Sequence, residues 1–364
     1  MKPKIFITPW RDLLDDEIQI CFAAGADSAR IHTGKLNQEQ INSLINFYVR
    51  NKYKFYLDLT GNKPRVNSFK HFGAKTMFST GESVIIYTKH SSLPNLKRDH
   101  DLEIDFFPCI LKSKVKGDLN VDDGRLAFNI VEVVMHDGKI NYLIANVAKS
   151  DQHYAEYKDG VSSSNINIHS HENNVLIRAD VEFLLGINSD LQKKVKYIVL
   201  SFCERPDQIK STISLIDKLG FKDFQIVPKI ETIVAVKNIE AICKYLVKLY
   251  GDKAEIQIGR GDLSQDCSRG KIKYDLNSEV DKIIDCAHLN NIQVSVLALI
   301  LQSSRLKFRA NRKTEDLTPS EEDVKYIQHL CDKKVMQIGL TSETYIDHPE
   351  RMIKILKEIV SNFQ

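Results

Sequence analysis

The chain has 364 residues, of which 43% are hydrophobic and 27% are charged, and its formal net charge is +3. The near balance of 51 basic and 48 acidic residues gives no single-sign field that would favour nucleic acid or a membrane surface as partner. The sequence has no apolar run near the roughly 18 residues of a membrane-spanning helix. Its seven scattered cysteines form no CxxC pair, so reduced thiols in a cytoplasmic protein are expected.

Eight short β-branched or apolar runs recur along the chain, and helical stretches lie between most of them. Ile209, Ile213 and Ile216, for example, share one helical face between the fourth and fifth runs. This alternation predicts a parallel sheet covered by helices, and eight units predict a (β/α)8 TIM barrel. The predicted strands are Lys4–Thr8, Ala29–Thr33, Phe55–Leu59, Tyr197–Phe202, Phe224–Ile230, Glu255–Ile258, Gln293–Leu297 and Met336–Leu340.

The alternation is interrupted once, between Leu59 and Tyr197. The interrupting segment contains short strand-like runs separated by Asp-Gly turn signals, such as Asp137-Gly138. It predicts an all-β domain inserted after the third barrel strand. The expected boundaries are 1–70 for the first part of the barrel, 71–176 for the insert and 177–364 for the second part.

Polar side chains follow most of the predicted barrel strands. Because the carboxyl ends of barrel strands meet at one mouth, where active sites lie, these side chains are the candidates for function. A single charged residue at a strand end is commonly just solvated, but Lys229, Glu231 and Asp262 together predict a functional site. The candidates are Thr8, Arg30, His32, Asp58, Lys229, Glu231, Arg260, Asp262 and Glu343.

Several of these segments resemble the pyruvate kinase family. The most specific are IVPKIETIVAVKNIEAI at 226–242 and GRGDL at 259–263. SARIHTG, LDLTGNKPRV, VDDGRL, LSFCERPDQI and GLTSETYIDHP also resemble family segments, in family order. The resemblance implies a barrel with a lid domain after its third strand. It also implies phosphoryl transfer from phosphoenolpyruvate to ADP or another acceptor, with release of pyruvate.

The resemblance assigns roles to residues near the fifth and sixth strands. Glu231 and Asp262 match the ligands of a divalent metal, Mg²⁺ or Mn²⁺, which two carboxylates commonly hold with water and substrate oxygens. Lys229 matches the lysine that faces the moving phosphoryl group, and Arg30 matches the arginine that binds the substrate phosphate. The backbone amides of Gly261 and Asp262 are expected to receive the substrate carboxylate.

Further roles follow from the same resemblance. Glu343, at the end of the eighth strand, is expected on the substrate side, and Arg65 and Lys35 are expected on the nucleotide side. Asp58 matches the aspartate of the family's potassium site, and Lys63 is expected to supply an ammonium group beside it.

Potassium is not expected to be required. The other positions that match the family's potassium ligands are His32, Gly34 and Leu59, and they lack the family's asparagine, serine and threonine.

Two departures from the family pattern bear on function. Ala298 stands at the position that matches a family threonine tied to protonation of the enolate, and alanine has no hydroxyl group. The sequence also stops where the barrel's last helix would end. A monomer or homodimer without the family's C-terminal regulatory domain is therefore expected.

Two other functions stay open on the sequence alone. One is an aldolase or lyase that acts through a metal-bound pyruvate enolate on the same barrel site, and it would require an aldehyde or keto acid in place of a phosphoryl acceptor. The other is a non-catalytic pyruvate kinase-like binding protein, which the retained set of Lys229, Glu231 and Asp262 makes less favoured.

Overall fold

A computed structural model of the chain describes most of the residues. The described residues are 4–9, 15–34, 36–61, 63–67, 75–92, 101–105, 107, 117–121, 126–150, 154–156, 161–163, 176, 178–269, 272–301, 303, 319–340 and 349–362.

The described strands are β1 (Lys4–Ile7), β2 (Ser28–His32), β3 (Lys54–Leu59), β4 (Lys75–Met77), β5 (Ser83–Tyr87), β6 (Leu102–Glu103), β7 (Asp118–Val121), β8 (Leu126–His136), β9 (Lys139–Ser150), β10 (Tyr154–Glu156), β11 (Val161–Ser162), β12 (Tyr197–Leu200), β13 (Gln225–Ile230), β14 (Glu255–Gly259), β15 (Gln293–Leu297) and β16 (Gln337–Leu340).

The described helices are α1 (Asp15–Ala23), α2 (Gln38–Arg50), α3 (Arg178–Leu185), α4 (Ser189–Gln192), α5 (Pro206–Lys218), α6 (Ile233–Lys237), α7 (Ile239–Tyr250), α8 (Arg260–Cys267), α9 (Leu276–Leu289), α10 (Glu321–Asp332) and α11 (Pro349–Asn362), with a 3₁₀ turn at Gly251–Lys253. Within the described residues, none of the helices has the length and apolar character needed to cross a bilayer.

Eight of the strands close into a parallel barrel in the order β1-β16-β15-β14-β13-β12-β3-β2. These are the eight predicted strands, so the barrel and its strand positions are confirmed. Continuous apolar runs form these strands because both faces of a barrel strand are covered, by the interior on one side and by helices on the other. The interior packs Phe6, Tyr56, Val199, Val227 and Leu297 into one cluster.

The predicted insertion after the third strand is also confirmed as a β structure. β11, β7, β8, β9, β5 and β6 form one six-stranded sheet, and β4 pairs with β10. The predicted turn Asp137-Gly138 joins β8 to β9, and both residues have positive φ angles, 49° and 71°. Two central turn residues with positive φ are what a two-residue hairpin requires.

The chain divides into two compact units. The first comprises Met1–Gly61, Asn174–Ser264 and Asp275–Gln364, and it contains the barrel. The second comprises Asn62–Asn173 together with Gln265–Tyr274, and it contains the inserted sheet.

A buried polar cluster fills the amino-terminal end of the barrel. Glu255 accepts hydrogen bonds from Tyr56 Oη at 2.8 Å and from Ser295 Oγ at 3.0 Å, and Lys54 Nζ lies 3.7 Å from its Oε2. Burial raises the pKa of Glu255, and Lys54 opposes that rise. This cluster lies at the end of the barrel opposite to the mouth, away from where the active sites of such barrels lie.

The close packing of the interior predicts that a larger residue at Gly339 in β16 would destabilise the barrel. A Cβ atom there would overlap Leu297 and would lie 2.9 Å from Phe6 Cδ1, inside the barrel. We expect Gly339→Ala to lower the free energy of unfolding by about 1–3 kcal/mol, as overpacking does elsewhere. Denaturant unfolding measures this free energy. Gly261→Ala is the control because, among the described residues, a Cβ there meets only Ala298 Cβ, at 3.8 Å. Equal stability of the two variants would contradict the prediction.

Candidate active site at the carboxyl ends of the strands

Asp58 lies at the centre of a charged cluster in the barrel mouth and is fully buried. Its Oδ2 accepts a hydrogen bond from Arg30 Nε at 2.5 Å, and Lys229 Nζ lies 3.1 Å from Oδ1 and 3.0 Å from Oδ2. Burial alone would raise the pKa of Asp58, but the guanidinium and ammonium groups hold it below its ordinary value. Asp58 is therefore an ionised acid shared by two cations.

The strand pattern explains why these three side chains meet. In a strand, alternate residues face the same side, so an inward residue near the carboxyl end of each parallel strand points into the same mouth. Arg30, Asp58 and Lys229 are such residues of β2, β3 and β13. Ser201, directly after β12, adds a fourth contact, since its Oγ donates to Leu59 O at 2.7 Å and lies 3.2 Å from Asp58 Oδ1.

Glu231 follows β13 directly and is held between two donors. Phe202 N donates to its Oε2 at 3.0 Å, and Lys229 Nζ lies 3.5 Å from its Oε1. Phe202 has a φ of 55°, a left-handed conformation that costs a non-glycine residue roughly 1–2 kcal/mol. The surrounding structure thus maintains a strained turn whose amide contacts the carboxylate.

Gly259, the last residue of β14, leaves room for this carboxylate. A Cβ at position 259 would lie 2.5 Å from Glu231 Oε1 and 2.9 Å from its Cδ. The glycine is needed because of this close approach, since its φ is not in the left-handed region.

Asp262 lies in the first turn of α8, which begins at Arg260 immediately after β14 ends. Amides in the first turn of a helix have no intrahelical partner, and the helix dipole favours anions there. The backbone amides of Gly261 and Asp262 therefore belong to the first turn of a helix. Burial raises the pKa of Glu231 to about 7, the charges of Asp262 and Asp58 add to that rise, and Lys229 opposes it.

The charges of this cluster fit a divalent cation. The carboxylates of Asp262 and Glu231 repel each other, and a bound divalent cation would relieve this repulsion. In the part of the chain that the structure describes, no three His, Cys, Asp or Glu side chains form a ready metal cage. A pair of carboxylates completed by water and substrate oxygens is the usual protein contribution to Mg²⁺ binding.

The turn after β15 lies next to the first turn of α8. Ala298 and Leu299 both have left-handed φ angles, 62° and 53°. Arg260 Nη1 donates to Leu299 O at 2.6 Å, and its guanidinium lies 4.0 Å from the centre of the Tyr326 ring. Arg260, predicted as a candidate from its strand-end position, thus supports this turn through its bond to Leu299 O, while Asn277 Oδ1 and the Tyr326 ring hold the guanidinium itself.

Buried residues behind the mouth hold the loops that carry the site. Thr60 N and Gly61 N donate to the two carboxylate oxygens of Asp180 at 2.9 and 3.1 Å. Thr232 Oγ1 donates to Glu204 Oε1 at 2.7 Å, next to Glu231 in the chain. The sequence did not single out these residues, because polar residues in loops and in the first turns of helices are ordinarily solvated.

Four further site residues were predicted, namely Arg65, Lys63, Lys35 and Glu343. Arg65 and Lys63 belong to the second unit, where Arg65 N donates to Asp105 Oδ1 at 2.8 Å. Their expected roles toward a nucleotide and as an internal cation stay predictions. Lys35 and Glu343 lie outside the described residues.

Known proteins share this fold and sequence pattern. A family model described as the barrel domain of pyruvate kinase matches residues 17–312. A pyruvate kinase of Clostridium perfringens (strain 13 / Type A) is 24% identical over 213 residues, which cover 57% of this chain and 38% of that relative. The crystal structure of pyruvate kinase from Pyrobaculum aerophilum matches at a TM-score of 0.68 and 19% identity, covering 100% of this chain and 73% of the other.

The closed parallel barrel with a β insertion after its third strand is thus the fold of a solved pyruvate kinase. The family model covers well over half of the sequence. The chain therefore belongs to the pyruvate kinase family. Its match spans about two fifths of the length of the curated relative.

Proposed function

We propose that the protein transfers the phosphoryl group of phosphoenolpyruvate to ADP or another acceptor and releases pyruvate. The observation that carries this proposal is the convergence of Arg30, Asp58, Lys229 and Glu231 in one buried cluster. Such transfer depends mainly on positioned charge around the phosphoryl group, and this cluster supplies two cations that are hydrogen-bonded to Asp58. Membership of the pyruvate kinase family supports the same reaction.

The proposal gives each residue a task. The bond from Arg30 Nε to Asp58 fixes the plane of the guanidinium, whose Nη atoms would then bind the substrate phosphate. The Lys229 ammonium would stabilise charge on the phosphoryl group as its bond to the enolate oxygen breaks and its bond to the acceptor forms. The first-turn amides at Gly261 and Asp262 would receive the carboxylate of the substrate.

Glu231 and Asp262 are proposed to hold Mg²⁺ or Mn²⁺. When bound, the ion supplies charge stabilisation for the enolate and phosphoryl oxygens of the substrate. Potassium is proposed to be dispensable, since Asp58 already has Arg30 and Lys229 as cationic partners. The nucleotide-side roles of Arg65 and Lys35 and the substrate-side role of Glu343 belong to the same proposal.

A lyase acting through a pyruvate enolate is the second candidate. Ala298 favours it, because its methyl group would lie 3.8 Å from a Cβ added at Gly261 and has no acidic proton to give the enolate. The retained Lys229 favours phosphoryl transfer, since a lyase has no phosphoryl group to stabilise.

Pyruvate release from phosphoenolpyruvate with Mg²⁺ distinguishes the two reactions. We expect release to require ADP or another phosphoryl acceptor and to be unchanged when potassium is replaced by a tetraalkylammonium ion. Coupling to lactate dehydrogenase measures the pyruvate. Binding of Mg²⁺ and phosphoenolpyruvate without release by any nucleotide would contradict phosphoryl transfer to nucleotides. Pyruvate cleaved from an aldol substrate instead would support the lyase.

The raised pKa of Glu231 predicts a pH dependence of metal binding. The proton competes with the metal for this carboxylate, so the apparent Mn²⁺ affinity should be constant well above pH 7. Below the pKa of about 7 it should fall about tenfold per pH unit. Electron paramagnetic resonance of free Mn²⁺ between pH 5.5 and 8.5 measures this. An affinity that stays level down to pH 5.5 would contradict the prediction.

A further inference from the structure

Lys229 lies between two acids of the cluster and is nearer to one of them. Its Nζ contacts both carboxylate oxygens of Asp58, at 3.1 and 3.0 Å, and lies 3.5 Å from Glu231 Oε1. All three side chains are at least nine-tenths buried, so water competes little for their charges. The position of this one ammonium group therefore decides how much of the charge of Glu231 is neutralised from within the protein.

The surroundings of Glu231 leave little freedom for the carboxylate itself. Phe202 N holds Oε2 at 3.0 Å, and the backbone of Gly259 lies close behind Oε1. Lys229 is the partner with more conformational freedom, because its ammonium group is carried on a flexible four-carbon stem. If it moved from Asp58 onto Glu231, it would cover the Oε1 atom and repel a divalent cation there.

We propose that Asp58 is a positioning residue that holds the Lys229 ammonium away from Glu231 and so keeps that carboxylate available to a divalent cation. The inference rests on the proposed metal site at Glu231 and Asp262, and it goes beyond it by giving Asp58 a task that requires no contact with metal or substrate. Asp58 can hold Lys229 because both of its oxygens face the ammonium, whereas Glu231 offers one oxygen at a longer distance.

A double-mutant cycle on Mn²⁺ binding tests the inference without any measurement of catalysis. Mn²⁺ affinity is measured by electron paramagnetic resonance at pH 8 for the wild type, Asp58→Asn, Lys229→Met and the double variant. We expect Asp58→Asn alone to weaken Mn²⁺ binding about tenfold, and Lys229→Met to restore most of it in the double variant, a coupling within the range for contacting residues. A structural disturbance from Asp58→Asn would not be rescued by a second substitution.

Asp58→Asn could instead weaken Mn²⁺ binding only because the negative charge of Asp58 is lost, and this explanation predicts a different result. In that case Lys229→Met would raise Mn²⁺ affinity by the same factor with and without Asp58, and this additivity would overturn the inference. Ser201→Ala is the matched control, because it removes an uncharged contact from the same carboxylate. It should change the affinity less than about twofold.

A crystal structure of the wild type with Mn²⁺ alone keeps the inference testable if Asp58→Asn does not fold. We expect Lys229 Nζ to stay within hydrogen-bond distance of both Asp58 oxygens, and its departure from Asp58 would overturn the inference.

Glu231→Gln separates this inference from the proposed function. If the wild type binds no Mn²⁺, or binds it equally well without Glu231, the metal site and the inference both fall. If Glu231 is required and the cycle is additive, only the inference falls.

Discussion

Glu231→Gln is expected to weaken Mn²⁺ binding by about 100-fold or more. The substitution keeps the size of the side chain and the Oε acceptor for Phe202 N, but it removes the charge that a hard divalent cation requires from its oxygen ligands. Loss of a supporting contact around a metal typically costs about 10–100-fold in affinity, so loss of a ligand should cost at least as much. Isothermal titration calorimetry or electron paramagnetic resonance measures the change.

The free energy of unfolding of Glu231→Gln should rise while its Mn²⁺ affinity falls. Such a result would exclude unfolding as the cause of the weaker binding. The folded-state pKa of Glu231 is raised from 4.5 to about 7, so the carboxyl favours the folded state below pH 4.5 and loses that contribution as the pH rises through 7. At pH 8 without metal, Glu231→Gln should therefore be more stable than the wild type, by up to about 3 kcal/mol.

Glu240→Gln is the matched control, because Glu240 is exposed on α7 and pairs with Lys244 at 2.6 Å. It should leave Mn²⁺ affinity unchanged and should lack the gain in stability at pH 8. Retention of tight Mn²⁺ binding by Glu231→Gln would contradict the assignment of Glu231 as a ligand.

The barrel could be predicted from the sequence because its strands are continuous apolar runs whose periodicity is local. All eight strands were located. Between the fifth and sixth of them, the apolar spacing from Val236 to Leu249 is that of one helical face, but the structure has two helices there. α6 ends at Lys237 and α7 begins at Ile239, with Asn238 between them. A one-residue break of this kind leaves the spacing of apolar residues almost unchanged, so periodicity does not reveal it.

The charged residues of the site could also be predicted, since strand ends converge in any barrel. What the sequence could not provide is the partner of each charge. Asp58 was expected in a cation site, and the structure adds two partners that the motif did not indicate, Arg30 and Lys229. The resemblance to a family assigns positions, but hydrogen bonds depend on side-chain geometry that a motif does not carry.

Two further features of the structure could not be predicted from the sequence, for physical reasons. Phe202 has a left-handed backbone angle that no residue preference signals, because its neighbours impose it. Glu255 begins a strand, where a solvated acid is the ordinary expectation, yet it is 2% exposed and bonded to Tyr56 and Ser295. Both depend on contacts between residues far apart in the chain.

Lys229→Met is expected to lower kcat for phosphoryl transfer by about 10²–10³-fold, the cost of losing one positioned charge-stabilising group. Methionine nearly matches the length of the lysine stem, so the substitution removes charge with little change in packing. Because Asp58 keeps Arg30 as a cationic partner at 2.5 Å, its buried charge is not left alone.

The same variant should bind Mn²⁺ at least as tightly as the wild type, since Lys229 is the cation that partly neutralises Glu231. A large loss of kcat together with intact or stronger metal binding would distinguish a charge acting on the phosphoryl group from one that merely supports the site. Lys244→Met on the exposed face of α7 is the control and should change neither quantity. A kcat within tenfold of the wild type would exclude Lys229 from the phosphoryl step. The lyase would then be the better account of this barrel. Lyase chemistry needs the carboxylates of Glu231 and Asp262 but not the Lys229 ammonium group.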